Sequence, residues 1–422
     1  MKGKIQKFGF TMLVLAFLFG GLTYQYDEAI AQAKPKEIKI AVVYPLSGAL
    51  ARNGNMMVQG AKAAMGWVND NGGIKSLGGA RLVPVIGDTG STLEGASSAM
   101  ERLYRDPEIV MTMGSWASSL TMATTEVSER VGKPHFSISF ADALTARGLK
   151  WSFYVVPPSS AQGELGLANI LKLARSAGQE VKTAMLIGDN QAASRAFYDA
   201  VRKLFPGLGV KIIGEEIWAL GTLTDATPVI QKVKATNPDI AVFMATAISE
   251  AQMCLMKKKE LDVSTPFVCN GGWAIDPSYR QAGVKALEGM ISIMPMYVSK
   301  VTPQEWVTRS LDQCRKEYSN EPYVSQELGI QPWQLVPIMA EVLERAGSTD
   351  PKKIWEAARK MDIHDVMATR MIAGQGMAFD DNGRIAKKYW EVVLVQWQGD
   401  TPYTIFPPRH ALAKAIWVVP KK

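Results

Sequence analysis

The chain has 422 residues, of which 47% are apolar and 21% charged, a composition typical of soluble globular proteins with two or three domains. Its net charge of +7 is spread along the chain, and no basic run alternates with aromatic residues, which excludes the usual signature of a nucleic-acid-binding protein. The three cysteines, Cys254, Cys269 and Cys314, are too few for a disulfide framework. We expect small buried thiols, with a Cys254–Cys269 bridge as the alternative.

The first 33 residues have the pattern of an export signal. Three lysines among the first seven residues precede an apolar run at 8–22, which is too short to span a membrane as a helix. Ala31 and Ala33 supply the small residues of a cleavage site, and we predict cleavage after Ala33, with an uncleaved anchor as the alternative. No cysteine lies near this segment to carry a lipid. An exported protein without a lipid stays near the cell only where an outer membrane confines it, so we predict a periplasmic location.

Strand and helix patterns alternate along the rest of the chain. A first series predicts strands at 38–44, 82–86, 109–113 and 134–138 and helices from 55, at 93–104 and from 118. After a break at 157–160, a second series predicts strands at 183–187, 210–217, 240–245, 267–269 and 290–294 and helices at 163–177, 192–205, 227–235 and 250–260. Helices at 303–318, 331–346 and 351–361, a turn at 379–383 and a strand at 389–397 follow. This order predicts an α/β fold with two doubly wound parallel sheets whose carboxyl ends meet at a crevice.

The loop at 114–119 is a candidate site for an anion. It joins an apolar strand pattern to a helix pattern that begins at Ser118, and it holds three serines but no charged residue. The first N–H groups of a helix have no internal acceptor, and the helix dipole places partial positive charge there. Amides and hydroxyls in this loop suit the reversible binding of a small carboxylate, while the alternative is that Ser118 only caps the helix.

Motifs along the whole predicted mature chain resemble those of periplasmic substrate-binding proteins of ABC transporters, of the branched-chain amino acid (leucine/isoleucine/valine-binding) type. They lie at 40–48, 60–61, 68–74, 118–119, 144–148 and 379–383. The resemblance implies a type I periplasmic binding fold, with two lobes joined by three crossover segments near 156–158, 289–294 and 377–381. It divides the chain into a signal peptide at 1–33, a first lobe at 36–156 plus 292–377, and a second lobe at 157–291 plus 378–422. The helices at 303–361 then return to the first lobe, and the lobes close like a clamshell.

The resemblance also implies a set of ligand-binding positions. In the family, the residues that match Ala117, Ser118, Ser139 and Ala141 hold the ligand carboxylate and amino groups. The family's aromatic residues fall at Asn53, Ala193 and Thr246, and the acidic partner of the α-ammonium falls at Gly271. Trp116 and Trp273 flank the predicted crevice and suit a planar ring. Asp276 and Glu250 are the nearest acids, but neither occupies the matched position.

We therefore expect a solute-binding protein, not an enzyme, that delivers a small carboxylate to a membrane ABC permease. A buried ammonium without a carboxylate partner is costly, so the ligand expected is an aromatic or bulky carboxylate without an α-ammonium. The alternatives are a true amino acid binder, a sensor lobe, and a hydrolase that uses Ser118 with His135. We expect a monomer with no cofactor and no metal, because the three histidines have no metal-ligand spacing.

Overall fold

The computed structural model describes residues 36–296, 302–317 and 329–417, apart from the side chain of Trp273. Within these ranges the chain forms two large, mainly parallel β-sheets with helices between their strands. The predicted α/β class with two sheets is confirmed. The predicted signal peptide at 1–33 lies outside the described residues.

The first sheet contains five parallel strands. They are β1 (Glu37–Tyr44), β2 (Arg81–Asp88), β3 (Ile109–Gly114), β4 (His135–Ser137) and β5 (Ser152–Tyr154), in the order β2-β1-β3-β4-β5. Helices α1 (Ala51–Asp70), α2 (Leu93–Leu103) and α3 (Ser118–Val131) connect the first four strands. All six residues of β3 are buried, as expected of a central parallel strand that is covered on both faces. The strand order runs outward in two directions from β1 and β3, so these two strands mark the topological switch point, where such sheets bind ligands.

The second sheet repeats this arrangement and adds two strands. Its strands are β6 (Thr183–Asp189), β7 (Lys211–Trp218), β8 (Ile240–Met244), β9 (Phe267–Asn270), β10 (Ile291–Met294), β13 (Val393–Gln398) and β14 (Thr401–Phe406), in the order β14-β13-β10-β9-β8-β6-β7. Helices α4 (Ser159–Ser176), α5 (Ala192–Gly207), α6 (Thr227–Thr236) and α7 (Ile248–Glu260) accompany the parallel strands. The strands β13 and β14 join antiparallel to this sheet. The switch point of this sheet lies between β6 and β8.

Three further helices return the chain to the first sheet. They are α8 (Gln304–Glu317), α9 (Val336–Ala346) and α10 (Pro351–Lys360). Trp306 of α8 stacks on Trp333 at 4.7 Å between ring centroids, and both contact Trp67 of α1 edge-on. This aromatic cluster fixes α8 and the short helical turn Gln331–Gln334 against α1.

The chain passes between the sheets three times. The passages lie between β5 and α4, between β10 and α8, and before β13. The strands β11 (Asp362–His364) and β12 (Gly376–Ala378) form a small antiparallel pair before the third passage. Because β10 belongs to the second sheet, the second passage follows Met294, and because Arg384 still pairs with Tyr154 of the first sheet, the third passage follows Arg384. The predicted lobe boundary between 291 and 292 falls within β10; the division of the chain into lobes stays a prediction.

Several predicted element boundaries were wrong. Arg52 and Asn53, which precede the helix predicted from 55, lie in the first turn of α1, because that helix begins at Ala51 without a side-chain cap to mark its start. The terminal strand predicted at 389–397 begins at Val393, after a helical turn at Lys387–Tyr389. The sequence reading also missed β5, β11, β12 and β14. All three cysteines are buried and free, as expected.

In the part of the chain that the structure describes, none of the helices combines the length and the apolarity needed to cross a membrane.

Candidate functional site

A narrow cavity lies where the two sheets face each other. Its lining residues follow the carboxyl ends of β3, β4, β5, β6, β8, β9 and β10, and the turn Gln331–Gln334 adds one further wall. This is the location expected for a ligand in open parallel sheets. The cavity volume is about 40 Å³, far below the 300–1,000 Å³ or so of typical ligand sites. The two walls therefore lie close together in a closed arrangement, and a ligand of ordinary size fits only if they move apart.

Ser118 provides the polar end of the first-lobe wall. Its side chain is buried, and its hydroxyl oxygen accepts a hydrogen bond from the backbone N–H of Ala141 at 3.2 Å. This leaves the hydroxyl hydrogen available to a ligand. Ala117, which precedes α3, has an extended backbone and no capping side chain, so no capping side chain occupies the N–H groups of the first helical turn. Together these donors suit a carboxylate.

A buried hydroxyl network supports this wall from behind. The Ser139 hydroxyl donates to the backbone oxygen of Trp116 at 2.9 Å and bonds the Thr121 hydroxyl at 2.7 Å. The buried Arg384 guanidinium donates to the backbone oxygens of Ser139 at 3.0 Å and of Ala141 at 3.1 Å. These bonds fix the backbone on both sides of the Ser118 hydroxyl.

Asp189 organises the facing wall of the second lobe. This buried carboxylate at the end of β6 accepts hydrogen bonds from the Gln191 N–H at 2.9 Å, the Ser194 hydroxyl at 2.8 Å and the Thr246 N–H. Burial raises the pKa of Asp189, and the hydrogen bonds partly oppose that rise. Asp189 thus holds together Gln191, Ser194 and Thr246, which all line the cavity.

Polar contacts between described residues cross the crevice directly. Gln191 donates to the Ser119 hydroxyl at 2.6 Å, and Asn53 donates to the Thr246 backbone oxygen at 3.4 Å. Arg52 pairs with the buried Asp276 at 3.5 Å. These contacts join the two walls in the closed arrangement.

Six of the ten predicted site residues line the cavity. They are Trp116, Ala117, Ser118, Ala193, Thr246 and Gly271. Ser139 and Ala141 lie behind the wall and hold it in place, because their polar groups bond Trp116, Thr121 and Ser118. Asn53 bridges the lobes at the edge, since its amide is engaged by Thr246. The side chain of Trp273 lies outside the described residues.

The sequence reading missed the two glutamines of the turn Gln331–Gln334 and most of the apolar wall. The apolar residues missed are Ile138, Phe140, Val156, Met244, Pro295 and Met296. Most of these residues lie at or just after the end of a strand, and that position could have marked them as lining residues. The glutamines gave none, because they reach the crevice only through the packing of Trp333 on Trp306 and Trp67.

Within the described ranges, no Asp, Glu, Lys or Arg lines the cavity. The two acids considered from sequence are engaged elsewhere. Glu250 accepts from the Trp218 indole at 3.1 Å and from the Leu223 N–H at 3.0 Å. Asp276 accepts from the Ser278 N–H at 2.9 Å and pairs with Arg52. A ligand ammonium in this cavity would therefore have no carboxylate partner on its wall.

His135 does not form a catalytic pair with Ser118. One ring nitrogen bonds the Thr112 hydroxyl at 2.7 Å, and the other bonds the Gly114 backbone oxygen at 3.2 Å. Because a backbone oxygen only accepts, Nε2 carries the proton and Nδ1 accepts from Thr112. Burial lowers the pKa of His135 to about 4. Among the described residues there is also no cluster of three His, Cys, Asp or Glu side chains that could hold a metal ion.

The chain matches known proteins over most of its length. A family model described as periplasmic binding protein matches residues 37–400. The Leu/Ile/Val-binding protein homolog 8 of Brucella melitensis is 22% identical over 385 residues, which cover 90% of this chain and 92% of that protein.

Solved structures share the fold over nearly their whole length. A solute-binding protein of an ABC transporter from R. palustris, in complex with benzoate, superposes with a TM-score of 0.71 at 17% identity, covering 90% of this chain and 97% of that one. The branched-chain amino acid transporter substrate-binding protein LivJ of Streptococcus pneumoniae, in complex with isoleucine, gives 0.68 at 21% identity and covers 87% and 98%. A fatty acid ABC transporter substrate-binding protein from Thermomonospora curvata gives 0.69 at 14% identity and covers 89% and 93%.

Proposed function

Because the chain belongs to the periplasmic binding protein family, we propose that it captures a small organic carboxylate between its lobes and delivers it to an ABC permease. The observation that carries this proposal is the buried Ser118 hydroxyl at the start of α3, on the wall of a closed interlobe cavity. Hydroxyl and amide donors bind a carboxylate reversibly, which suits a carrier that must later release its ligand.

Because no charged side chain among the described residues lines the cavity, the ligands that fit it best are carboxylates without an α-ammonium. The remaining lining is largely apolar and includes the Trp116 indole and the Phe140 ring. A buried ammonium needs a carboxylate or an aromatic cage to offset its lost hydration. Aryl or alkyl carboxylates need only the donors at Ser118 and an apolar surface. One similar protein is solved in complex with benzoate, and another is the substrate-binding protein of a fatty acid ABC transporter; both are consistent with this choice.

Binding and release would follow from lobe movement, with no bond made or broken in the ligand. A ligand that contacts both walls favours the closed state only by its extra contacts there. We further propose that residues 1–33 direct export to the periplasm, that no lipid is attached, and that the protein acts as a monomer. Periplasmic residence would place the carrier beside its permease.

A thermal-shift screen followed by calorimetry tests the proposal. Benzoate and hexanoate should raise the melting temperature, since a ligand that binds only the folded state stabilises it. Benzamide, the uncharged analogue of benzoate, and leucine should bind weakly. The variant Ser118→Ala should weaken benzoate binding about tenfold or more, as expected for a lost hydrogen bond to a charged group.

The matched control is Ser98→Ala on α2, an exposed serine of the same lobe, which should leave benzoate affinity unchanged. Tight binding of leucine or isoleucine with no binding of aryl or alkyl carboxylates would show that the protein is an amino acid carrier instead.

A further inference from the structure

Two buried glutamine amides on the crevice wall carry polar atoms that the carboxylate site does not use. Gln331 and Gln334 belong to the same short helical turn, line the cavity, and are only 4% and 2% exposed. Their amide orientations can be assigned from their partners.

The partner of Gln331 fixes which of its amide atoms is free. The Trp116 indole N–H donates to Gln331 Oε1 at 3.2 Å. An indole nitrogen can only donate, so the atom that it contacts must be the amide oxygen. Nε2 of Gln331 is therefore a hydrogen-bond donor, and it is buried without a partner among the described residues.

In the Gln334 amide, the roles of the two atoms are reversed: the nitrogen has a partner and the oxygen is the atom in question. Its Nε2 donates to the backbone oxygen of Gln331 at 3.4 Å and contacts the Met296 sulfur. A backbone oxygen can only accept, so the atom facing it must be the amide nitrogen. Oε1 of Gln334 is thus an acceptor, and within the part of the chain described here it has no partner.

One unpaired donor and one unpaired acceptor thus lie on the same wall, three residues apart. Buried polar groups without partners are unfavourable, and native proteins pair nearly all of them. A ligand group that both accepts and donates would pair the two atoms at once. A hydroxyl has both capacities in one atom, and a carboxamide has them in adjacent atoms. An ammonium can donate to Gln334 but cannot accept from Gln331.

We propose that the crevice recognises a carboxylate that also carries a neutral hydroxyl or carboxamide group. The oxygen of that group accepts from Gln331 Nε2, and its O–H or N–H donates to Gln334 Oε1. This inference rests on the proposed function, because Ser118 and the start of α3 hold the carboxylate. The glutamine pair then distinguishes among carboxylates of similar size and shape.

Gly272 offers a way to move the Gln331 amide without changing it. A Cβ at position 272 would lie 2.2 Å from Gln331 Nε2 and 3.4 Å from the Met296 terminal methyl. In Gly272→Ala the flexible end of the glutamine must therefore shift. This variant therefore tests whether the position of the Gln331 amide matters, because its donor and acceptor atoms stay the same.

Calorimetry with four aryl carboxylates tests the inference. The probes are benzoate, 3-hydroxybenzoate, 4-hydroxybenzoate and 4-carbamoylbenzoate. At least one substituted probe should bind about tenfold more tightly than benzoate, as expected for two hydrogen bonds to buried partners. The measured quantity is the ratio of the affinity for the best substituted probe to the affinity for benzoate. In Gln331→Met, Gln334→Met and Gly272→Ala this ratio should fall toward one, while Gln252→Met, whose amide pairs with Gln281 away from the crevice, should keep it.

The possible outcomes separate this inference from the proposed function. Equal affinity for benzoate and all substituted probes would overturn the glutamine pair as a recognition element, as expected if water occupies it, and would leave a carboxylate carrier standing. If a substituted probe still binds more tightly than benzoate in all three crevice variants, the inference is also overturned, and the carboxylate carrier still stands. If none of the four probes binds the intact protein, both the inference and the carboxylate function fail.

Discussion

At the scale of single residues, His135 illustrates how burial sets the chemistry of the site's surroundings. The ring is fully buried, and burial lowers its pKa to about 4 from the ordinary value of 6.5. The unfolded chain therefore takes up a proton at a higher pH than the native protein does. Stability that is fully present above pH 6.5 should be lost as the pH falls from 6.5 to about 4, by up to ~3 kcal/mol.

The variant His135→Gln should remove this part of the acid sensitivity. Melting temperatures measured at pH 7 and pH 4.5 should differ less in the variant than in the parent protein. His364, whose ring is exposed and lies beside Asp365, provides the control, because His364→Gln should keep the parent's pH dependence. An unchanged pH dependence in His135→Gln would show that other groups govern acid unfolding.

The residues of the site differ in how far the sequence could reveal them. Ser118 follows an apolar strand and opens a helix, and this local pattern is enough to mark an anion site. Arg384 has no such signal, because the backbone oxygens that it binds belong to Ser139, Ala141 and Val156, more than 200 residues earlier in the chain. Its role depends on tertiary packing alone. The same holds for Gln331 and Gln334.

At the scale of elements, α1 shows where close packing constrains the fold. A Cβ at Gly60 would lie 1.9 Å from the Gly329 backbone oxygen, whereas one at Gly66 on the same helix meets nothing within 4 Å. Gly60→Ala should therefore destabilise the protein by about 1–3 kcal/mol through overpacking. Gly66→Ala should stabilise it by about 0.5–1 kcal/mol, because alanine loses less entropy in a helix.

Thermal unfolding of the two variants checks this prediction. The chemical change and the helix are the same in both, so helix propensity cancels in the comparison. Only the contact with the segment at 329–332 differs. Equal melting temperatures would mean that this segment does not press against α1 in solution.

Most elements could be predicted because buried strands and amphipathic helices have distinct apolar periods. The strand at 109–113 and the helix from Ser118 were recovered almost to the residue. The three-residue β5 is too short to show a period. The start of α1 was missed because Leu50 supplies no capping side chain, and β14 was missed because Pro402 interrupts a strand pattern that lies at the sheet edge.

At the scale of the whole molecule, contacts between the lobes set the balance between closed and open states. Arg52 of α1 pairs with Asp276 of the second lobe at 3.5 Å. Such a partly exposed pair contributes at most about 1 kcal/mol, which is roughly a fivefold change in population. Arg52→Met should therefore enrich the open state of the ligand-free protein.

Small-angle X-ray scattering should detect this shift as a larger radius of gyration without ligand. A saturating carboxylate should restore the compact value, because ligand binding favours the closed state. The control is Arg130→Met, which removes an exposed ion pair with Glu101 inside the first lobe and should leave the radius unchanged. An identical radius for Arg52→Met and the parent protein would mean that this pair does not hold the lobes together.

The burial of the cysteines makes the lobe movement accessible to optical measurement. Cys254, Cys269 and Cys314 are the three cysteines of the sequence, and all are fully buried. Burial raises the pKa of each thiol, to about 11 for Cys314, so the reactive thiolate is scarce near neutral pH. Maleimide dyes should therefore react with a cysteine introduced on each lobe and spare the native ones. With two introduced cysteines and the native ones left in place, the chain can thus serve as a two-colour energy-transfer reporter of its own ligand.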